Sequence, residues 1–276
     1  MMKHEIINHA VFGECLFVTN GTVEVKIPLS FGLRIGHFSL VGKKNVFFEQ
    51  PDDMTDLTTP EGWRIRGGHR MWLAPEGNFD YFPDNAPIKY EISDDCITLT
   101  QEEDPWLSVI KSFVIKLDGA KLHITHKVTN TAKEARTCSL WPISAMAAGG
   151  VEYIDLPLRE NGFDPFRHIA LWDYTTLDDE RAEYSRNQIK ISHMPTDERY
   201  KIGIGHPLSP VRYELSDTVF LKHFEVLKEK AYPDGGVSLE TFFCRHMAEV
   251  ETLSPVCTIE SGQTAEYSET WELLHK

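Results

Sequence analysis

Apolar and polar residues alternate with a period of two along most of this chain, and this alternation restricts the possible folds strongly. In one short run, Val23, Val25 and Ile27 share one parity, while Glu24 and Lys26 share the other. Successive side chains of a strand point to opposite faces, so the pattern predicts strands with one buried face. Strand-like runs of this kind occur at 22–28, 88–92, 97–101, 109–117, 122–128, 200–205, 219–226, 237–250 and 265–274.

Turn-forming residues separate these runs, and helical signals are sparse. Asp118-Gly119 predicts a tight hairpin between two of the strands. A helical pattern occurs at 178–186, with Asp178 as its N-cap. Because no strand–helix–strand rhythm recurs, the sequence predicts an all-β sandwich or barrel. We expect one domain over residues 1–276.

The charge and the cysteine spacing exclude several classes of protein. With 28 Lys and Arg against 42 Asp and Glu, the formal net charge is −14. Such a surface repels phosphates, which argues against nucleic-acid binding, and no apolar run is long enough to cross a membrane. The N-terminus has no apolar core typical of a signal peptide, and five widely spaced cysteines indicate free thiols in a cytoplasmic protein.

The segment 62–76 combines three Arg, two Trp, one His and one Glu in fifteen residues. A flat aromatic ring can cover the C–H face of a sugar, while charged groups bind its hydroxyls. The pair Gly67-Gly68 allows the backbone to approach a ligand closely. The segment therefore favours a sugar site. The alternative is a tight turn between two strands, with Trp63 and Trp72 packed in the core.

A second candidate is Glu251, near the end of the late apolar run. On a period of two it shares a face with Phe243 and Met247. Burial there raises the pKa of a carboxyl group unless a cation compensates, and such a group suits a general base. The alternative is a carboxylate at the rim, paired with Arg245.

Two histidines carry weaker signals. His126 lies on the apolar parity of its strand, which indicates a core histidine with its hydrogen bonds satisfied. His123 lies three residues away, on the opposite face, so the two rings are not expected to chelate a metal together. We predict no metal and no organic cofactor, although the excess of carboxylates leaves a bound calcium open.

Several segments resemble the galactose mutarotase-like superfamily. Gly32-Leu33-Arg34-Ile35 is similar to its early strand, and Arg66-Gly67-Gly68-His69 to its Gly-Gly segment with a substrate-binding Arg or His. Val250-Glu251-Thr252 falls where mutarotases have Leu-Glu-Pro, whose Glu is the catalytic base. Segments 122–130 and 259–264 also resemble the superfamily, and 68–76, 201–203, 220–222, 232–236 and 249–255 resemble an uncharacterised branch of it.

The resemblance spans roughly residues 20–274 and implies a β-supersandwich of two large, mostly antiparallel sheets. It implies binding of a monosaccharide or sugar terminus and an aldose 1-epimerase-like activity, which interconverts anomers by acid/base ring opening. Glu251 is then the base and His69 the acid, with Lys201 as a second choice of acid. The residues expected to bind the sugar are Arg34, Arg66, Trp72, Glu76, Trp141, Lys201 and Lys222.

One departure from the family leaves the activity open. Mutarotases carry their general-acid His in a His-x-Tyr-Phe stretch after the mid-chain turn, whereas residues 139–146 read SLWPISAM and contain Trp141 instead. A sugar-binding or sensing protein without catalysis is therefore one alternative. Another is glycoside cleavage by Glu76 and Glu251. A carboxylate separation of about 5–5.5 Å implies retention, and about 6.5–9.5 Å implies inversion. The oligomeric state stays open.

Overall fold

The computed structural model describes residues 2–55, 57–59, 61–93, 95–159, 162–163 and 165–276. Its regular elements are strands, apart from one 3-10 helix at Asn78–Tyr81. The strands of the described residues, in chain order, are β1 (Lys3–His9), β2 (Gly13–Thr19), β3 (Val23–Pro28), β4 (His37–Leu40), β5 (Gly68–Ala74), β6 (Lys89–Ile92), β7 (Ile97–Thr100), β8 (Val109–Asp118), β9 (Lys121–Asn130), β10 (Arg136–Met146), β11 (Val151–Asp155), β12 (His168–Leu171), β13 (Ala182–Tyr184), β14 (Gln188–Ser192), β15 (Tyr200–Gly205), β16 (Val211–Glu214), β17 (Thr218–Phe224), β18 (Leu239–Phe243), β19 (Ala248–Thr252), β20 (Cys257–Ile259) and β21 (Thr264–His275).

The strands form three sheets. The first has the order β1-β2-β3-β4. The second has seven strands in the order β12-β15-β18-β19-β10-β20, with β5 paired to β10. The third has ten strands in the order β13-β14-β11-β16-β17-β21-β9-β8-β7-β6. The pairs that build the two large sheets are antiparallel, for example β10 with β19 and β8 with β9. The predicted all-β architecture with two large antiparallel sheets is confirmed.

The core lies between these sheets. One hydrophobic cluster takes residues from all three of them, including Leu16, Phe113, Met146, Val250 and Trp271. Alternation sets which residues enter this core: on β9, Leu122, Ile124, His126 and Val128 are buried, and the residues between them are more exposed. The predicted hairpin at Asp118-Gly119 joins β8 to β9, and Gly119 adopts a positive φ of 55°.

The predicted strand at 237–250 is wrong, because the chain folds back in its middle. The amide of Cys244 donates to the carbonyl of Met247 at 3.1 Å, and this turn separates β18 from β19. The turn interrupts the period of two. Arg245 therefore lies far from Glu251 in the pairing and donates instead to Asp197.

The helix predicted at 178–186 is also wrong. Residues Ala182–Tyr184 form β13, which pairs with β14 at the edge of the ten-stranded sheet. Just before it, the buried Arg181 donates to the Asp179 carboxylate and to the carbonyl of Glu198. These tertiary bonds and the sheet pairing outweigh a weak local helix propensity.

Candidate functional site

The outer face of the seven-stranded sheet carries an unusual set of buried charges. Val250 of β19 points into the core between the sheets, so its neighbours Glu249 and Glu251 point outward. Glu240 of β18 lies directly opposite Glu251 in the strand register. Lys201 of β15 lies on the same outer face, between the core residues Tyr200 and Ile202. Strand pairing therefore brings one lysine and two carboxylates together.

Lys201 binds both carboxylates. Its Nζ atom lies 2.8 Å from Oε2 of Glu240 and donates to Oε2 of Glu251 at 3.1 Å. The indole Nε1–H of Trp141 also donates to Oε2 of Glu251, at 2.9 Å. Both carboxyl groups are almost completely enclosed. Oε1 of Glu251 and both oxygens of Glu240 are buried without a hydrogen-bond partner, and Oε2 of Glu240 has the ion pair with Lys201.

Burial controls the protonation of this cluster. Desolvation raises the pKa of Glu240 to about 8 and that of Glu251 to about 7, although the Lys201 charge opposes both shifts. Burial by itself lowers the pKa of Lys201, but the two carboxylates outweigh it and raise that pKa overall. Because one cation faces two carboxyl groups, both shifts favour retention of a proton by the cluster near neutral pH. A carboxylic acid that is still protonated at neutral pH is a suitable proton donor.

A cavity of about 480 Å³ opens beside this cluster. Aromatic residues and carboxylates line it together, and the rings of two tryptophans lie close to the lysine. The Nζ atom of Lys201 lies 4.7 Å from the ring centroids of both Trp141 and Trp172. The lining residues are Pro75, Glu76, Gly77, Asn78, Tyr81, Trp141, Trp172, Asp234 and Glu240.

Of the two carboxylates predicted for the site, Glu76 lines this cavity and Glu251 does not. Glu76 follows β5, and its Oε1 atom accepts a hydrogen bond from the Tyr81 hydroxyl at 2.5 Å. Behind it, Trp72 packs against Tyr81 and Trp141 with ring centroids 5.0 and 5.7 Å away. Trp72 is therefore part of the wall that positions the cavity residues. It does not line the cavity itself.

The structure does not bring His69 to Glu251. His69 alternates with Arg70 on β5 and points into the core between the sheets, where it is fully buried. The predicted meeting of His69 and Glu251 over a ligand is therefore wrong, because the two side chains leave opposite faces of one sheet. The mid-chain histidine His126 is the partner of His69: their Nε2 atoms are 2.8 Å apart.

Hydrogen-bond directions explain this pair of histidines. Nδ1 of His126 faces the carbonyl of Tyr267 at 3.1 Å, so it carries the hydrogen. Burial lowers the pKa of His126 to about 4, so its ring is neutral and its Nε2 accepts from Nε2–H of His69. Nδ1 of His69 then accepts from Ser144, whose oxygen accepts from Lys222. The chain of donors is complete without any ligand.

Three predicted sugar-binding cations also lie elsewhere. Lys222 is enclosed between the sheets, where its Nζ atom donates to the carbonyls of Pro142 and Val250. Arg34 is fully buried and holds the 65–67 loop through the carbonyl of Ile65. Arg34 also pairs with Asp84 at 2.6 Å. The guanidinium group of Arg66 stacks on the Phe31 ring, 4.0 Å from its centroid, and donates to Asn85. None of these three cations lines the cavity beside Lys201.

Sequence reasoning missed Glu240, Tyr81, Trp172 and Asp234. For Glu240 a signal existed: it is an acidic residue inside an apolar run, and a turn at 244–247 would have placed it opposite Glu251. For Trp172 and Asp234 the sequence carries no such signal, because both lie outside strands and are brought to the cavity by their loops.

Two clusters among the described residues have the side chains to hold a metal ion: His9, His37 and Glu49, and the buried set His69, His126 and Glu269. Neither contributes a side chain to the cavity beside Lys201. In the described part of the chain, no helix combines the length and the apolar character needed to cross a bilayer.

No protein-family model matches the sequence, and no curated protein is similar to it. Solved structures are similar in fold. A galactose mutarotase-like protein from Lactobacillus casei ATCC 334 aligns with a TM-score of 0.63 and 11% identity, over 94% of this chain and 100% of the other. A galactose mutarotase related enzyme from Lactobacillus acidophilus aligns with a TM-score of 0.54 and 11% identity, over 99% and 97%. At such identities the similarity shows the fold alone: the chain has the galactose mutarotase-like fold.

Proposed function

We propose that the protein binds a monosaccharide or sugar terminus in the cavity beside Lys201 and interconverts its anomers by acid/base ring opening. The observation that carries this proposal is the enclosed cluster of Lys201, Glu240 and Glu251, which borders a cavity lined by Trp141 and Trp172. The aromatic rings supply surface for the C–H face of a sugar, and the carboxyl groups supply hydrogen bonds and proton transfer.

The proton donor in this proposal is Glu240 instead of His69. Glu240 lines the cavity, and its raised pKa of about 8 keeps it protonated at neutral pH. It gives its proton to the ring oxygen while the bond between that oxygen and the anomeric carbon breaks. Glu76 accepts the proton of the anomeric hydroxyl, which produces the open-chain aldehyde. Rotation about the bond between the first two carbons and the reverse transfers close the ring on its other face.

Glu251 acts as a positioning residue in this scheme. It does not line the cavity, and its Oε2 atom is already bound by Lys201 and Trp141. Through these bonds it fixes the lysine beside Glu240 and orients the Trp141 ring. Its negative charge also raises the pKa of Glu240. The base predicted from the sequence, Glu251, thus lies on the strand next to that of Glu240, the carboxyl group that lines the cavity.

The test has two steps. A thermal-shift screen of neutral, acidic and phosphorylated sugars identifies the ligand, and polarimetry on freshly dissolved single anomers of each ligand measures mutarotation. We expect Glu240→Gln to lower the catalysed rate by about 10²–10⁴-fold, which is typical for loss of one acid or base. The control Glu266→Gln removes an exposed carboxylate paired with Lys127 on the other sheet and leaves the rate unchanged.

Each step can overturn a separate part of the proposal. If no sugar stabilises the protein, carbohydrate binding is wrong. If a sugar binds but mutarotates no faster than in buffer, the isomerase activity is wrong and a sugar-binding or sensing role remains. Release of reducing sugar from a bound glycoside would instead support cleavage by Glu76 and Glu240, since both line the cavity.

A further inference from the structure

We propose that His9, His37 and Glu49 form a binding site for a divalent transition-metal ion of the zinc type. His9 ends β1 and His37 begins β4, so both rings belong to the four-stranded N-terminal sheet. Glu49 follows β4 and bridges to Gly67. The site shares no lining residue with the cavity beside Lys201, so it is independent of the sugar proposal.

The three donor atoms already lie close together. Nε2 of His9 and Nδ1 of His37 are 3.8 and 3.6 Å from Oε1 of Glu49. All three lie within 4.8 Å of one another. Around a tetrahedral Zn²⁺ with bonds of about 2.0–2.1 Å, neighbouring donor atoms are about 3.3 Å apart. The two distances to Glu49 are therefore within a few tenths of an ångström of this spacing, and the distance between the two imidazole nitrogens is within about 1.5 Å of it.

Hydrogen bonds outside the cluster hold two of the ligands in the orientation that a metal requires. Nε2 of His37 is 3.0 Å from Oγ of Ser39, while its buried Nδ1 has no hydrogen-bond partner. When the ring donates Nε2–H to Ser39, the lone pair of Nδ1 faces Glu49. Asn45 donates to Oε1 of Glu49 at 2.8 Å and fixes the carboxylate. Such partners are characteristic of metal-binding histidines and carboxylates.

His9 is held less firmly. Its ring stacks on Phe12 at 5.0 Å, and its Nδ1 lies 3.3 and 3.4 Å from the amides of Val11 and Phe12. These contacts direct Nε2 towards Glu49. In the metal-free neutral ring, Nδ1 accepts from these amides and Nε2 carries the hydrogen. A metal bound at Nε2 replaces this hydrogen, and a neutral ring then carries its hydrogen on Nδ1, which loses the two long amide contacts. His9 is thus the ligand that adjusts most.

The chemistry of the donors and the access to them favour a zinc-type ion. Two imidazole nitrogens and one carboxylate oxygen suit zinc and its neighbours, whereas magnesium and calcium prefer oxygen ligands alone. All three residues line an open cavity of about 630 Å³, so a fourth position remains for water or a ligand. Two cations of its lining, Lys43 and Arg245, are paired with Asp217 and Asp197.

The other candidate cluster does not suit a metal. The Nε2 atoms of His69 and His126 are joined by a hydrogen bond of 2.8 Å, which leaves no room for an ion between them. The ammonium group of Lys222 also lies 3.6 Å from Glu269 and repels a cation. We therefore expect a metal ion to bind at His9, His37 and Glu49 and not at His69, His126 and Glu269.

The experiment is calorimetric titration of the chelator-treated protein with Zn²⁺ and with Co²⁺. We expect one equivalent of each to bind, and the visible spectrum of bound Co²⁺ to show nitrogen and oxygen ligands without thiolate. His37→Ala and Glu49→Gln should each weaken binding by about 100-fold or more. Ser39→Ala, which removes only the partner of His37, should weaken it by about 10- to 100-fold.

His123→Ala is the matched control, because His123 is half-buried, binds Thr270 and lies on the ten-stranded sheet. It should bind both metals as the wild type does. Circular dichroism spectra show that each variant is folded. The proposal is overturned if the wild type binds neither metal, if His37→Ala and Glu49→Gln bind as tightly as the wild type, or if Mg²⁺ or Ca²⁺ binds more tightly than Zn²⁺.

Discussion

At the scale of single residues, burial determines what each acidic group of the candidate site can do. Glu240 and Glu251 lie opposite each other, are both buried and share one lysine, but only Glu240 lines the cavity. Their roles in the proposal differ for this reason, although both are glutamates on neighbouring strands. Substitutions at these positions and at the aromatic wall test the assignment directly.

Glu251→Gln should change the pH dependence of mutarotation more than its maximal rate. Removing the negative charge of Glu251 lowers the pKa of Glu240, because that charge raises it in the wild type. Glu240 then loses its proton at a lower pH, so the alkaline limb of the pH–rate profile shifts to lower pH. Polarimetry across the pH range measures this shift. If Glu251→Gln abolishes turnover at every pH, Glu251 itself is the acid or base.

Trp172→Ala should weaken sugar binding with little effect on the rate at saturation. The indole of Trp172 lines the cavity and faces Lys201, so its loss removes stacking surface without removing a proton carrier. An aromatic contact of this kind contributes about 1 kcal/mol, equivalent to a KM about fivefold higher. Tyr90→Ala, at an aromatic residue of β6 that is 38% exposed and does not line the cavity, is the control. An unchanged KM would contradict the placement of the sugar.

At the scale of strands, the pairing of β15, β18 and β19 assembles the charges. Each strand contributes one charged side chain to the cluster of Lys201, Glu240 and Glu251, and the antiparallel register places Glu240 beside Glu251. A buried cation between two carboxylates is costly to remove, because both acidic groups then remain desolvated without compensation. The stability of this part of the sheet therefore depends on pH through Lys201.

Lys201→Met should destabilise the protein, and more strongly at pH 8 than at pH 5. Without the cation, the pKa values of Glu240 and Glu251 rise further above their unfolded values. The folded state then retains protons that the unfolded state has released, so stability falls as pH rises above about 4.5. Chemical denaturation at several pH values measures this. At pH 8 the loss should reach about 3 kcal/mol or more.

The double variant Lys201→Met with Glu240→Gln provides the control for that prediction. It removes the cation together with one of the two acidic groups, so part of the stability lost at pH 8 should return. If the double variant is as unstable as Lys201→Met at pH 8 and its stability depends on pH in the same way, uncompensated carboxylates are not the cause.

At the scale of the whole molecule, a polar chain crosses the core between the two large sheets. It runs from Lys222 of β17 through Ser144 and His69 to His126 of β9. Each of its buried donors and acceptors is matched, so the chain fixes how the sheets face one another. Both histidines have a lowered pKa because burial disfavours their charged forms.

The contribution of these two histidines to the stability of the protein should therefore fall as pH decreases from about 6.5 to about 4. The unfolded histidines gain protons in this window, while His126 stays neutral until about pH 4 in the folded state. NMR of the His126 ring should show the Nδ1–H tautomer across this range. A charged His126 at pH 6 would contradict the hydrogen-bond directions assigned to the chain.

The alternation of residues predicted the all-β class, individual strands such as β8, β9 and β17, and the parity of many positions on them, but it missed others, such as β2 and β10. It placed His126 in the core and His123 on the opposite face, and both are as expected. The same rule failed across the turn at 244–247: it grouped Glu251 with Phe243, which packs in the core between the sheets, whereas Glu251 lies on the outer face with Trp141 and Lys201. Alternation succeeds because the two faces of a strand are set by local geometry, which the sequence alone determines. The resemblance of the ordered motifs to mutarotases added the fold.

Alternation within a strand does not predict which strands contact each other. Alternation does not show that β18 and β19 fold back on each other, and therefore it did not place Glu240 beside Glu251. Nor does alternation show which face of β5 meets the core. His69 was therefore expected at the ligand, whereas in the structure it is hydrogen-bonded to His126 in the core. Sheet order and turn positions depend on interactions between segments far apart in the chain. Those interactions decided which charged groups reach the cavity and which support the core.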